Sequence, residues 1–378
     1  MKIIQLISEI DNESNGVANS APNLTLELNN LVDDVNIFTF SNNTDKWNKI
    51  NVEVFPIWGK KLNNSFQFSP KLYSTLKNNI NNTDIIHCHG TRVFPFIVPF
   101  YINRSKSNCK IIISPRGSFC DFIIGQNKKQ KFISDYFLGN MKALHNADMF
   151  HATSYQEYEE IRKLGLNQPV AIISNGIVFN DRIDIEKKKT LLFLSRIDRK
   201  KNIETLLKAW SIIKDEFKDW NLKIVGSGES NYFKSLTDLS VELKNERVRF
   251  LGEIKGKEKF DLMASSSLFI LPSFNENFGN VIVESLSFET PVITTKGTPW
   301  ESVVEKECGW WISTDLDEVV TQLRDSMSMS IGDLHTMGKN GREWINKEFL
   351  WNFKAKQMLQ AYNWITGKDS AKPDFIIL

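Results

Sequence analysis

Thirteen short apolar runs, alternating with helical patterns from end to end, constrain this chain more than any other feature of its sequence. KIIQLIS, VNIFTF, VEVFPI, DIIHCHG, KIIISPRG, MFHATS and VAIIS fall in the first half; TLLFLS, LKIVG, VRFLG, LFILP, PVITT and GWWI follow. Runs apolar on both faces are the mark of buried parallel strands in βα units. The rhythm restarts after the charged segment DRIDIEKKK (181–189), which reads as a linker. With 378 residues, too many for one ordinary core, the pattern predicts two doubly wound α/β domains, 1–180 and 181–350, with ligand loops at the carboxyl ends of their strands and a cleft between them. Residues 351–378 follow: EFLWNFKAKQMLQAYNWITG has apolar positions at helical spacing, and its tip DSAKPDFIIL reads as loosely held.

Composition removes several classes of function. A formal charge of +2 gives no field for coating nucleic acid. No run approaches the length of apolar sequence that spans a bilayer, and MKIIQLISEIDNES reads as a first strand, not a signal peptide. The expected location is cytoplasmic. Cys88, Cys109, Cys120 and Cys308 stand in no metal-binding spacing and read as buried free thiols. Between Arg104 and Lys131, seven Lys or Arg face one acid, Asp121, with Phe119, Phe122, Ile123 and Ile124 interleaved. That stretch is either a solvated face or a weak membrane-facing edge.

The most informative stretch is NENFGNVIVE, residues 275–284. SSSLFILPS reads as a strand, FNEN as a loop and FGNVIVESLSF as an amphipathic helix. The free N–H groups of the first helical turn, around Gly279, Asn280 and Val281, suit a phosphate. Eight steps at ~1.5 Å separate Glu276 from Glu284 by roughly 12 Å in helical geometry. A diphosphate between a sugar and a ribose needs about that reach, so Glu276 can accept from sugar hydroxyls and Glu284 from ribose hydroxyls. In TLLFLSRIDRKKN, Arg196 and Lys201 share a basic loop able to clamp a diphosphate, and Asn202 is placed to cap the next helix.

Other features stay open to two readings. IVGSGES offers Gly226 and Gly228 but no third glycine, which favours a turn lining a nucleotide site over a dinucleotide fingerprint. His87 and His89 share one face of a strand end, lining a site or packing, with a zinc-binding pair disfavoured because no further His, Cys or Asp stands at helpful spacing; Arg116 and Gly117 stand at another strand end. Gly16 sits where the first strand meets its helix, in a loop without the lysine of a phosphate-binding P-loop.

Taken in order, the Gly16 loop, SPRGS, HATSYQE, ISNGI, LSRIDRKKN, IVGSGE, VRFLG, the Glu-x7-Glu element and GTPWESV resemble glycosyltransferase family 4, over nearly the whole chain. The resemblance implies GT-B architecture, two Rossmann-like domains facing a cleft, with the helix and tail of 351–378 packing toward the N-terminal domain. It implies that the N-terminal domain serves the acceptor through His89, Arg116 and Gly117. It further implies that Glu276, Phe278 and the Gly279–Val281 amides hold donor sugar and diphosphate, with Arg196 and Lys201 on the diphosphate, Glu284 on the ribose, and Gly16 and Gly226 lining the site. Two departures stand out. Asn202 replaces a glycine common in relatives, and Arg116 in SPRG replaces a histidine, as in bacterial surface-polysaccharide transferases.

The expected activity is retaining transfer of a hexose from a nucleotide diphosphate sugar to a hydroxyl of a lipid-linked bacterial surface glycan such as O-antigen, capsule or lipopolysaccharide. Glu276, Arg196 and Lys201 are the expected catalytic residues. A nucleotide-sugar epimerase or a non-catalytic nucleotide-sugar-binding protein are the alternatives. No cofactor and no metal are expected, although Asp315 and Asp317 have a metal-like Asp-x-Asp spacing. Thr314 is placed to cap their helix, where acids complement the helix dipole.

Overall fold

Every apolar run named above forms a strand, and all thirteen lie in parallel sheets. The computed structural model describes residues 1–11, 16–59, 66–102, 107–119, 139–178 and 185–378. The chain divides into two compact units, one of Met1–Gly176 with Trp351–Leu378 and one of Ile177–Leu350.

In unit 1, β1 (Lys2–Leu6), β2 (Asp34–Thr39), β3 (Asn51–Val54), β4 (Ile85–His89), β5 (Lys110–Ser114), β6 (Met149–Ala152) and β7 (Val170–Ile172) stand in the order β7-β6-β5-β4-β1-β2-β3. In unit 2, β8 (Lys188–Leu194), β9 (Asn221–Val225), β10 (Val248–Phe250), β11 (Ser266–Leu271), β12 (Val292–Thr295) and β13 (Gly309–Ile312) stand in the order β10-β9-β8-β11-β12-β13. In both units the first strand lies between the second and the fourth. The chain winds one way from the first strand and then returns to wind the other way. That reversal leaves a crevice above the carboxyl ends of the first and fourth strands, where open α/β sheets bind ligands. The crevice lies above β1 and β4 in unit 1, and above β8 and β11 in unit 2. Both central strands of unit 2 are buried through their apolar length, as strands covered by helices on both faces must be.

The tail departs from its expected looseness. Ile376–Ile377 forms β14, antiparallel to β7, with Ile376 opposite Ala171 and Ile377 opposite Val170. Phe375 accepts the Ile172 N–H at 2.9 Å. The tail thereby satisfies backbone groups that β7 would otherwise present as an open edge. The helix Trp351–Ile365 buries Ala355, Met358, Ala361 and Tyr362 in one cluster with Leu24 and Leu28 of the helix Gly16–Asn29, so it belongs to unit 1.

Cys88, Cys109 and Cys308 are buried free thiols. Among the described residues no helix is long and apolar enough to cross a membrane. Most of the basic stretch 104–131, including Cys120, Phe122, Ile123 and Ile124, lies outside the described residues.

Ile376 is 1% exposed. Ile376→Ala should therefore cost about 2–4 kcal/mol of unit 1 stability through lost burial and a residual cavity. A urea melt followed through unit 1 reads the effect, and an unchanged midpoint would show that the tail does not contribute to the sheet's stability.

Candidate functional site

At the crevice of unit 2, the loops after β8 and β11 are joined by a buried ion pair. Lys201 Nζ bonds Glu276 Oε1, and the Ser273 hydroxyl donates to the same oxygen at 2.8 Å. Lys201 is 8% exposed and Glu276 9%. The backbones are tied as well: Phe274 N–H donates to Lys200 C=O at 2.9 Å, and Glu276 N–H to Gly297 C=O at 2.8 Å. Desolvation alone would raise the Glu276 pKa, but the charge and hydrogen bond of Lys201 outweigh it and hold the carboxyl below its ordinary value. Arg196, on the same basic loop, is exposed.

Gly279 takes a left-handed backbone, with φ at +81°, immediately before the helix Asn280–Ser287. This conformation is cheap only for glycine. The preceding loop is anchored from behind by aromatic packing. Trp300 Nε1 donates to the Phe278 carbonyl, and the Phe278 and Trp300 rings lie 5.0 Å apart, with Trp344 and Phe349 packed against Trp300. Glu284, one turn into the helix, pairs with Lys259 of the helix Gly256–Ser265 at 2.7 Å. Both side chains keep some exposure, 26% for Glu284 and 20% for Lys259.

Two sequence expectations change here, the caps at Asn202 and Thr314. Asn202 occupies the N-cap position, but at φ +55° it is left-handed, and its side chain accepts from the Thr205 hydroxyl instead of capping a backbone N–H. Asparagine tolerates this region better than most residues. Gly226 and Gly228 serve backbone packing: a Cβ on either would collide with the Ser195 or Ile197 carbonyl of the neighbouring loop. Thr314 does not cap the helix Leu316–Ser328. Asp315 holds that position, with Ser313 Oγ accepting its N–H at 3.2 Å and donating to its Oδ2 at 2.8 Å. Asp317 and Glu318 lie in the first turn.

Unit 1 has a different chemistry at its crevice. Gln5 on β1 stands in register with His87 on β4, and His89 in register with Ser114 on β5. All four are buried, as are His151 on β6 and Tyr362 from the helix Trp351–Ile365. They form one chain of hydrogen bonds whose direction is set at both ends, because a guanidinium only donates and a backbone carbonyl only accepts. Arg116 NH2 donates to His89 Nδ1 at 2.9 Å, His89 Nε2 to Gln5 Oε1 at 2.6 Å, and Gln5 Nε2 to the Tyr362 hydroxyl at 3.1 Å. Tyr362 then donates to His87 Nδ1 at 2.7 Å, and His87 Nε2 to Ser114 Oγ at 3.2 Å. Ser114 donates to His151 Nδ1 at 2.6 Å, and His151 Nε2 to the Ile173 carbonyl at 2.9 Å. The Ser114 hydroxyl also lies 3.1 Å from the His151 carbonyl, and the donor at the Arg116 end requires His89 to be neutral. Burial drives the pKa values of the three histidines down, with help from one another and from Arg116: His87 and His89 lie well below the ordinary range and His151 falls to about 3. The His87 and His89 pair is thus spent within the fold. Gly117 N–H donates to Glu157 Oε1 at 2.7 Å. Gly16 begins its helix; residues 12–15 before it lie outside the described residues.

A family profile described as glycosyl transferases group 1 matches residues 179–344, and one described as glycosyltransferase family 4 matches 14–180. The chain belongs to the family 4-like glycosyltransferases of GT-B architecture. It is 29% identical over 166 residues to an uncharacterized glycosyltransferase of Haemophilus influenzae, covering 43% of this chain and 46% of that protein. It is 25% identical over 213 residues to the capsular polysaccharide biosynthesis glycosyltransferase CapM of Staphylococcus aureus, covering 53% and 55%. The matched stretches thus span about half the length of these relatives. In fold it matches Anabaena HepE, solved with UDP and glucose, with a TM-score of 0.75 and 17% identity over 96% of this chain and 99% of that one.

Ser273, Lys259 and Trp300 escaped the reading of the sequence. Ser273 and Lys259 touch the two glutamates directly, yet lysine and serine at those spacings carry no signal; only the fold brings Lys259 to a helix 25 residues further on.

The ion pair generates a test. Glu276 has a lowered folded-state pKa, so it stabilises unit 2 above the ordinary carboxylate range, and that contribution is lost as pH falls through the lowered value. Lys201→Met removes the partner and leaves burial to raise the pKa, so the variant should lose stability as pH rises, by about 3–5 kcal/mol at neutral pH. Urea midpoints across pH 4 to 8 read both slopes; parallel curves for wild type and variant would refute the coupling.

Proposed function

We propose that this chain is a retaining glycosyltransferase that moves a hexose from a nucleotide diphosphate sugar to a hydroxyl of a bacterial surface glycan carried on a lipid. The observation that supports it most is the meeting of Lys201, Glu276 and the left-handed Gly279 at the strand-order reversal of unit 2. A diphosphate there faces a lysine ammonium and the N-terminal turn of a helix, while Glu276 offers a carboxylate oxygen to sugar hydroxyls. Glu284, held by Lys259, is spaced for the ribose. Similarity to CapM supports a capsule-type glycan, and the fold shared with HepE supports a nucleotide donor.

Breaking the bond between sugar and diphosphate gathers negative charge on the phosphate oxygens. Donors placed beforehand act on that charge more than on the ground state. Lys201, the exposed Arg196 and the amides of Gly279, Asn280 and Val281 are those donors. Glu276 already accepts from Lys201 and Ser273, so it serves to position the sugar and to keep Lys201 aimed. The acceptor proton leaves with the departing phosphate on the same face. The chemistry needs no divalent ion, because the diphosphate charge is met by side chains and a helix N-terminus. Attachment to a membrane surface belongs to the same proposal and rests on the lipid-linked acceptor.

Glu284→Ala should weaken binding of UDP or GDP about tenfold with little change in kcat, whereas Glu276→Ala should lower kcat ~10²-fold or more. Calorimetric titration with the free nucleotide and steady-state transfer assays separate the two; equal losses of nucleotide affinity would refute this division of labour. Detecting transfer to a lipid-linked acceptor excludes an epimerase, which would convert the donor alone, and a binding protein, which would convert nothing.

Turnover should survive EDTA, and Asp315→Asn with Asp317→Asn should remain active with slightly lower stability, since these acids sit at a helix start. Activity abolished by chelation and restored by Mn²⁺ would overturn the metal-free mechanism.

A further inference from the structure

The helix Asn280–Ser287, which carries Glu284, is held at its carboxyl end by side chains from two other parts of unit 2. A helix end leaves its last four carbonyls without partners inside the helix. Here the Ser287 hydroxyl donates to the Glu284 carbonyl at 2.7 Å, and the N–H groups of Phe288 and Thr290 both reach the Ser285 carbonyl at 3.1 Å. The Glu289 N–H donates to the Leu286 carbonyl at 3.0 Å. The last carbonyl, that of Ser287, accepts from Arg342 NH1 of the helix Ile331–Glu348, and the following one, that of Phe288, accepts from Lys187 Nζ at 3.1 Å. Two basic side chains thus stand at the negative end of the helix dipole.

The surrounding contacts leave this joint one geometry. A Cβ on Gly338 would lie 1.9 Å from the Glu289 carbonyl oxygen and one on Gly341 2.6 Å from the Leu286 side chain, so the helix Ile331–Glu348 approaches with bare backbone. Glu289, buried and left-handed at φ +57°, bonds His335 Nε2 through Oε2 at 2.8 Å, with its Oε1 4.0 Å from Arg342 Nε. Lys187 also donates to Thr290 Oγ1 at 2.5 Å, and the Thr290 hydroxyl donates to the Met263 carbonyl at 2.8 Å. Met263 belongs to the helix Gly256–Ser265, the one that supplies Lys259 to Glu284. Both helices that fix Glu284 therefore meet at Thr290, and Lys187 closes the joint. Burial lowers the Lys187 pKa to about 7 against the pull of Glu289, so its hydrogen bonds lie in a poorly solvated place where losing them is costly.

The amino-terminal end of the helix Asn280–Ser287 is anchored separately, by Trp300 on the Phe278 carbonyl. Ser287 stands three positions after Glu284, on the same side of the helix. Loosening the carboxyl end would therefore displace Glu284 while Gly279 keeps its place. We propose that Arg342, Lys187 and His335 are positioning residues for the donor nucleotide: they clamp the carboxyl end of this helix and so set where Glu284 meets the ribose. The clamp stands on the contacts above, and its ligand rests on the donor-site reading.

The test is calorimetric titration of the full chain with UDP and with GDP, followed through the nucleotide that the wild type binds. Arg342→Met and Lys187→Met should each weaken binding about tenfold, and Arg342→Lys should recover most of the loss because an ammonium still reaches the Ser287 carbonyl. His335→Asn, at a partly exposed position, should keep the fold even if the other two do not, and should weaken binding about threefold. Near-UV dichroism matching the wild type identifies the folded variants. The decisive readout is a double-mutant cycle: in a Glu284→Ala background, Arg342→Met and His335→Asn should each change affinity less than about twofold, because the group they position is gone. Losses equal with and without Glu284 overturn the proposal, since they would mark general support of unit 2. Undiminished affinity in Arg342→Met, Lys187→Met and His335→Asn overturns it too. Undiminished affinity in Glu284→Ala, or no binding of either nucleotide by the wild type, overturns instead the donor-site reading and with it the purpose of the clamp, so the two failures are told apart.

Discussion

A buried charge needs a partner, and in unit 2 this requirement ties the two loops on which everything else is built. Lys201 comes from the loop after β8 and Glu276 from the loop after β11, strands that are neighbours in space but far apart along the chain. Removing either group would strand the other in a low-dielectric site. The pair therefore holds the loops in one geometry, and the backbone bond from Phe274 to Lys200 repeats the tie. The helix that begins at Asn280 inherits its position from this joint, and Glu284 inherits its position from the helix.

Unit 1 solves the same topological problem with the opposite electrostatics. Its crevice is crossed by a row of polar side chains from four adjacent strands, linked in one direction and carrying no charge until Arg116. From His89 to the Ile173 carbonyl each link has a donor and an acceptor, although Arg116 Nε at the head of the row is buried without a partner; a half-satisfied row would cost more than an apolar core. The two halves of the fold thus divide the chemistry. Unit 2 offers a neutralised ion pair and helix amides, and unit 1 offers a fixed cation on a neutral scaffold.

Much of the fold was legible in the sequence because burial on both faces of a parallel strand writes itself as a continuous apolar run. KIIQLIS, DIIHCHG and LFILPS could be read as strands for that reason, although Gln5, His87 and His89 interrupt the pattern. Those interruptions were the network, and their meaning was hidden because each partner lies on a different strand. β14 was missed for a related reason: Ile376 and Ile377 are too short a run to announce a strand, and only the open edge of β7 makes them one.

The sequence by itself determined the alternation of strands and helices, the two-unit organisation, and the pairing of Glu276 with Glu284 about an N-terminal helix turn, since all three are carried by local spacing and periodicity. The tertiary structure alone decided which groups those glutamates meet. Lys201 and Ser273 reach Glu276, and Lys259 reaches Glu284, because strand order brings distant loops together. It also decided that Asn202 is left-handed, that Gly226 and Gly228 make room for a neighbouring backbone, and that three histidines are neutral. Propensity and spacing act over a few residues, whereas burial, hydrogen-bond direction and charge are set by neighbours that only the folded chain supplies.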